Sequence, residues 1–138
     1  MMHLLKQPDK ILTMFSLAGV VFSVHMCILL GTDWYYSLAW MDILFHFLGG
    51  LSIGVGFCNL LEFFESHKAI SFTDSMVWRL LVVALVALAA TLWEFHEYAL
   101  DFLIHTDMQP SIADTMADMF LGLIGGLAAT FITHAKKR

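Results

Sequence analysis

Four long apolar runs constrain the fold of this 138-residue chain more than any other feature. They cover residues 11–30, 39–64, 76–104 and 112–134. Each is long enough to cross a hydrocarbon core of about 30 Å at about 1.5 Å per helical residue. The segments between them are short, so consecutive helices should be antiparallel neighbours. The sequence therefore predicts an all-α polytopic membrane protein, a four-transmembrane-helix bundle in which residues 1–138 form a single transmembrane domain.

The composition also indicates a bilayer rather than water as the solvent. Hydrophobic residues make up 59% of the chain and charged residues 14%, against about 45–50% and about 25% in soluble domains. No small-residue cleavage site follows the first apolar run, so we expect that helix to be retained. Cys27 and Cys58 fall in different predicted helices at different depths, which predicts no disulfide. Without a basic stripe carrying interleaved aromatic residues, nucleic-acid binding has no support.

Basic residues predict the orientation of the bundle. All seven Lys and Arg fall on one side of a four-helix topology: Lys6, Lys10, Lys68, Arg79, Lys136, Lys137 and Arg138. By the positive-inside rule this side is cytoplasmic, so the N and C termini are both expected in the cytoplasm. Aromatic residues cluster at the opposite end, where an aromatic belt is typical: Trp34, Tyr35, Tyr36 and Trp40.

The outer half of the predicted bundle holds acidic residues with no Lys or Arg to neutralise them. An uncompensated carboxylate in a low-dielectric site is costly, so it must be protonated, bind a metal ion or face water. Adjacent carboxylates raise this cost by mutual repulsion. We therefore expect either protons or a bound cation to supply the positive charge that this half of the bundle lacks.

Helical spacing places these acids and several histidines on shared faces, since residues four apart lie on one side of a helix. Two such pairs are Asp42 with His46 and Asp114 with Asp118. The third helix carries a stripe at spacings of three and four: Glu94, Glu97, Asp101 and His105. Metal sites in helix bundles are built from inward carboxylates and histidines at one depth. The predicted metal ligands are Asp42, His46, Glu94, Glu97, Asp114, Asp118 and, from the first helix, His25.

Two other histidines have simpler interpretations. His96 points off the face shared by Glu94 and Glu97, and we interpret it as a packing or lipid-facing residue. His105 is equally well explained as an interfacial residue or as part of the stripe. Glycines follow both acidic pairs, which predicts close packing of the second and fourth helices: Gly49, Gly50, Gly54, Gly122, Gly125 and Gly126.

Three segments carry a family resemblance: residues 42–50, 93–97 and 109–119. The most specific element is D-T-x-x-D-M from Asp114 to Met119, with Gln109 upstream. They resemble the YjdF-like family of bacterial inner-membrane proteins and, more distantly, the VanZ-like family. Members of the first family are longer and carry Gly where this chain has Pro110. The resemblance covers residues 41–126, implies a polytopic helical membrane protein and supplies no substrate.

Three functions remain open from the sequence. The first is a divalent-metal site (Zn, Mg, Mn or Fe), either structural or part of a metal-dependent hydrolase for a small-molecule substrate from the outer leaflet or the extracytoplasmic space. No catalytic residue is assigned. The second is a cation or proton transporter or channel that uses the same acids, with a homo-oligomer supplying the inner path. The third is a binding or assembly module. A structural network of protonated acids competes with all three.

Overall fold

The computed structural model describes residues 8–32, 38 and 40–135, and in this part of the chain the fold is helical without strands. The described residues form five helices: α1 (Pro8–Met14), α2 (Ser16–Gly31), α3 (Trp40–Ser66), α4 (Ser75–Ile104) and α5 (Ile112–Ala135). Three of them, α3, α4 and α5, are long and apolar enough to cross a membrane. These three correspond to the second, third and fourth predicted spans.

The first predicted span differs from expectation. A continuous helix over residues 11–30 is replaced by α1 and α2, which meet at a turn at Phe15. Because α2 has 16 residues, it rises only about 24 Å, less than the roughly 30 Å of a hydrocarbon core. The Phe15 ring packs edge to face on Phe57 at a centroid distance of 5.3 Å and lies against Gly56, where a side chain would collide with it. The chain therefore breaks where Phe15 turns into the bundle.

The most extensive helix contact is between α3 and α5, and glycines make this approach possible. A Cβ on Gly50 would collide with the backbone of Gly122, and one on Gly125 would collide with the backbone of α3. Further along, Gly54 lies against Gly126, whose Cα would be 3.0 Å from an added Cβ. The close packing that the glycine pattern predicts is therefore present in the structure.

Helix α4 packs against both α3 and α5 and joins the two ends of the bundle. It begins at Asp74, whose carboxylate accepts a hydrogen bond of 2.7 Å from the Met76 amide, and ends at His105 in a left-handed conformation with φ 56°. The end of the bundle that carries the α3–α4 connection, with Lys68 and Arg79, is called the basic end below. The end that carries the α4–α5 connection is called the acidic end.

The two cysteines fit the sequence prediction. Cys58 is fully buried in α3, while Cys27 is exposed on α2, and neither forms a disulfide. The aromatic cluster proposed as an interfacial belt lies mostly outside the described residues, since only Trp40 falls within them. Trp40 is exposed at the start of α3, at the acidic end.

Candidate metal centre

His46 lies at the centre of a cluster of four carboxylates near the acidic end. Its Nε2 atom is 3.3 Å from Asp42 Oδ1, one helical turn earlier in α3. The same atom is 3.7 Å from Glu97 Oε1 of α4 and 3.8 Å from Asp118 Oδ1 of α5. On the other side of the ring, Nδ1 is 4.0 Å from Glu94 Oε1. Three helices therefore bring one imidazole and four carboxylates to one point, called the His46 cluster below.

The His46 cluster is buried, apart from one edge. His46 is 8% exposed, Glu94 6%, Glu97 1% and Asp118 3%. The Asp42 side chain is 21% exposed, so it marks the side on which the cluster opens. Because the site lies in apolar surroundings, the mutual repulsion of these carboxylates is weakly screened. Positive charge placed among them is therefore strongly stabilised.

The spacing around His46 Nε2 suits ligands of one ion. Two atoms at about 2.0–2.2 Å from a tetrahedral ion are about 3.3–3.6 Å apart. The Nε2 distances to Asp42, Glu97 and Asp118 run from 3.3 to 3.8 Å. Two sets of three ligand atoms each lie within 4.8 Å of one another: Asp42, His46 and Asp118, and His46, Glu94 and Glu97. Small side-chain movements would bring either set to coordination distance.

Two hydrogen-bond donors orient the glutamates of α4. The Trp93 indole donates a hydrogen bond of 2.7 Å to Glu97 Oε1 from one turn earlier in the same helix. The Gln109 amide donates to Glu94 Oε2 and to the Glu94 main-chain carbonyl, both at 2.9 Å. The other carboxylate oxygen, Glu94 Oε1, is buried without a hydrogen-bond donor and lies on the His46 side. Glu94 therefore directs an unsatisfied acceptor into the cluster.

Asp101 organises the loop that holds Gln109. Its carboxylate accepts hydrogen bonds from the Thr106 hydroxyl at 2.5 Å, the main-chain N–H of Met108 at 2.9 Å and the main-chain N–H of Gln109 at 3.0 Å. These bonds fold the α4–α5 connection back over the end of α4. Asp101 is therefore a positioning residue for Gln109 and belongs to neither set of ligand atoms.

Almost the whole chain matches one known protein family. Residues 4–138 match a family described as predicted membrane protein, DUF2238. The chain belongs to the DUF2238 family. The YjdF-like resemblance refers to this same family and is confirmed, whereas the VanZ-like likeness stays a prediction. No curated protein and no solved structure is detectably similar to the chain.

In this DUF2238 member, two of the seven predicted ligands lie outside both sets of ligand atoms. His25 of α2 is completely buried, but its ring packs against Phe45 and Trp93, at centroid distances of 5.0 and 5.2 Å. The Trp93 ring also packs edge to face on His46 at 6.2 Å, so it contacts both histidines. Asp114 is half-buried, one turn before Asp118 in α5. The structure thus groups Asp42, His46, Glu94, Glu97 and Asp118.

The two other histidines of the predicted outer half lie apart from the His46 cluster. The His96 ring packs against Phe22 and Trp93 at centroid distances of 5.9 and 6.0 Å, in line with its interpretation as a packing residue. His105 is exposed and ends α4. Gln109 is the contact that spacing arguments missed, because it is a loop residue with no periodicity. Its place in the family motif was the available signal.

Proposed function

We propose that this membrane protein binds a divalent metal ion in the His46 cluster. Asp42, His46 and Asp118 supply the first set of ligands, and Glu97 and Glu94 complete the site from α4. The observation that carries this proposal is the position of His46 Nε2. It lies 3.3 to 3.8 Å from three carboxylates, one on each of the helices α3, α4 and α5. In bundles, ions are held in this way by side chains that converge from facing helices.

Charge balance supports an ion rather than a plain hydrogen-bond network. Four carboxylates surround one imidazole, and the described Lys and Arg residues, Lys10, Lys68 and Arg79, belong to the basic end. Arg79 instead lies over the Phe131 ring, 4.7 Å from its centroid. A divalent ion offsets two negative charges at one point, and it also satisfies the buried Glu94 Oε1.

The ligand chemistry narrows the choice of metal. Carboxylate oxygens with a single imidazole suit Zn, Mn, Fe or Mg, and neither set, as found among the described residues, includes the thiolate ligand that Cu(I) prefers. The nearest buried thiol, Cys58, packs with Trp78 and Val82 in a separate apolar cluster towards the basic end.

Catalysis is a natural use of such a site. A metal-bound water is more acidic than bulk water and becomes a nucleophile near neutral pH. Asp42 lies at the open edge of the cluster, where a water or a substrate oxygen would reach a bound ion. We therefore propose metal-dependent hydrolysis at the outer leaflet of the inner membrane, with the basic end and both termini in the cytoplasm.

Transport by the same acids has less support. The hydroxyls of Ser52, Thr91 and Thr130 each donate to a carbonyl of their own helix, at 3.0, 2.9 and 2.7 Å. These hydroxyls are therefore poor ligands for an ion that moves along the bundle. Within α3, α4 and α5 as described, no charged residue lies between the His46 cluster and the residues of the basic end. A path across the membrane would need a second copy of the chain.

Metal analysis tests the proposal directly. Protein purified without chelator should contain about one divalent ion per chain, because a preformed set of carboxylate and imidazole ligands binds such ions tightly. His46→Ala should lose the ion, while His105→Ala, an exposed histidine outside the cluster, should retain it. A preparation that contains no metal and gains none from Zn²⁺, Mn²⁺, Fe²⁺ or Mg²⁺ would contradict the proposal.

A further inference from the structure

A narrow groove extends from the His46 cluster towards the basic end, between α3 and α4, with α5 as its floor. It follows α3 from Phe45 to Ile53, which is about 12 Å of helix. Small residues line it: Gly49, Gly50, Ala89, Ala90 and Gly122. Gly49, Ala89 and Ala90 are each partly exposed, so the groove is open along its side.

The surroundings of the groove determine what fills it. Helices α3 and α4 are both long and apolar enough to cross a membrane, so the open side faces hydrocarbon rather than water. Counted with its open side, the groove holds about 360 Å³ of free space along about 12 Å of helix, which suits an extended chain more than a compact ligand. The small residues thus leave a channel in a surface that lipid chains already cover.

The end of the groove at the His46 cluster is polar. His46 and Asp118 line it there, and both are more than nine-tenths buried. Within the described ranges Asp118 accepts no hydrogen bond, and His46 Nε2 lies 3.8 Å from its Oδ1. A hydrocarbon chain in the groove therefore ends beside an unsatisfied carboxylate and the proposed ion.

We propose that the groove holds the hydrocarbon chain of a phosphate-bearing membrane lipid, with the phosphate at the metal of the His46 cluster. This inference rests on the proposed metal site and names its substrate class. The four carboxylates of the cluster would repel a phosphate without the ion, and phosphate oxygens are good ligands for Mg²⁺ and Mn²⁺. Binding of the lipid should therefore depend on both the groove and the metal.

Photo-crosslinking tests the proposal on the full chain in phosphatidylcholine nanodiscs. The probe is phosphatidic acid with a diazirine in its acyl chain, and its control is the matching diacylglycerol, which lacks the phosphate. With Mn²⁺ present, phosphatidic acid should label peptides of α3 and α4 that line the groove. Labelling by diacylglycerol should be about tenfold weaker, which corresponds to about 1.4 kcal/mol.

Substitutions in the groove separate it from the general lipid surface. Gly49→Leu and Ala89→Leu should lower labelling by phosphatidic acid about tenfold, because they fill the channel, and a Cβ on Gly49 meets no atom within 4 Å. Ala84→Leu, at an exposed position of α4, should leave labelling by phosphatidic acid unchanged. Equal labelling by the two probes, or no effect of Ala89→Leu, would overturn the proposal. So would Ala89→Cys chains that cross-link to one another without a lipid adduct, since a second copy would then fill the groove.

A parallel Mn²⁺ titration distinguishes failure of the groove from failure of the metal site. If wild-type protein binds Mn²⁺ but phosphatidic acid shows no preference for the groove, the lipid proposal fails and the metal proposal stands. If Mn²⁺ does not bind, the metal proposal fails and the contact between phosphate and metal fails with it; labelling of the groove that still requires the phosphate would then show a lipid site that is independent of a metal. Ala89→Leu should bind Mn²⁺ as wild type does, because its side chain lies outside both sets of ligand atoms.

Discussion

The carboxylates around His46 differ in how firmly the protein holds them. Glu97 accepts the Trp93 indole at 2.7 Å and Glu94 accepts the Gln109 amide at 2.9 Å. Asp118, in contrast, accepts no hydrogen bond within the described parts of the chain. Its charge is therefore compensated least by the protein itself. If the proposed metal ion binds, Asp118 should therefore contribute most to its binding and least to the fold of the metal-free protein.

Asp118→Asn should abolish the stabilisation that divalent ions give. A ligand that binds only the native state stabilises it by about 2.7 kcal/mol at a hundredfold excess over its Kd, and loss of one buried carboxylate removes most of this affinity. The measurement is Tm in detergent with and without Zn²⁺ or Mn²⁺, followed by EDTA. Asp107→Asn, in the exposed part of the α4–α5 connection, is the control and should keep the full gain. Equal gains in the two variants would contradict the assignment of Asp118.

Gln109→Ala should weaken both the fold and the metal site. It removes two hydrogen bonds of 2.9 Å and leaves the Glu94 acceptors without their donor, which costs about 1–3 kcal/mol for a buried group. Glu94 also becomes free to turn away from His46, so the Kd for the metal should rise. Thr106→Ala removes one hydrogen bond to Asp101 without touching Glu94, and provides the matched control. The prediction fails if the two variants bind metal with the same Kd.

At the scale of helices, the α3–α5 contact sets the distance between His46 and Asp118. Gly50→Ala places a methyl group against the Gly122 backbone and should destabilise the protein by about 1–3 kcal/mol, as overpacking does. Gly49→Ala is the neighbouring control, since its Cβ meets nothing within 4 Å. Unfolding in detergent and SDS mixtures measures both variants. Gly50→Ala should also lower metal affinity, because it pushes α3 away from α5. Similar stability of the two variants would contradict this account of the packing.

Helix limits were largely predictable from the apolar runs. The predicted spans 39–64, 76–104 and 112–134 lie within two residues of α3, α4 and α5 at every end, because polar connections bound them sharply. The span 11–30 was wrong as one helix. Its break at Phe15 depends on contacts with Gly56 and Phe57, which lie in another helix. The sequence has no Pro or Gly at the break from which it could be predicted.

The candidate site was predictable in part for a similar reason. Spacing identifies residues on one face, and in the structure Asp42 lies near His46 and Glu94 lies near Glu97. Spacing does not give the rotation of a helix or what stands between two helices. His25 was predicted as a ligand, and in the structure its ring packs against Trp93, outside both sets of ligand atoms.

At the scale of the whole molecule, charge divides the bundle between its two ends. Lys68 and Arg79 lie at the basic end, while the His46 cluster lies near the acidic end. The positive-inside rule predicts that the basic end faces the cytoplasm. The metal site would then open to the outer face, where a lipid of the outer leaflet or an extracytoplasmic substrate has access.

Cysteine labelling should establish this orientation. Ser71→Cys places a thiol in the exposed α3–α4 connection and Asp107→Cys places one in the exposed α4–α5 connection, both in a background with Cys27→Ser and Cys58→Ala. A membrane-impermeant maleimide should label Asp107→Cys in intact spheroplasts, and should label Ser71→Cys only after permeabilisation, because the basic connection is retained in the cytoplasm. The unsubstituted background controls for non-specific reaction. The reverse pattern would move the His46 cluster to the cytoplasmic leaflet, and any substrate would then have to come from inside the cell.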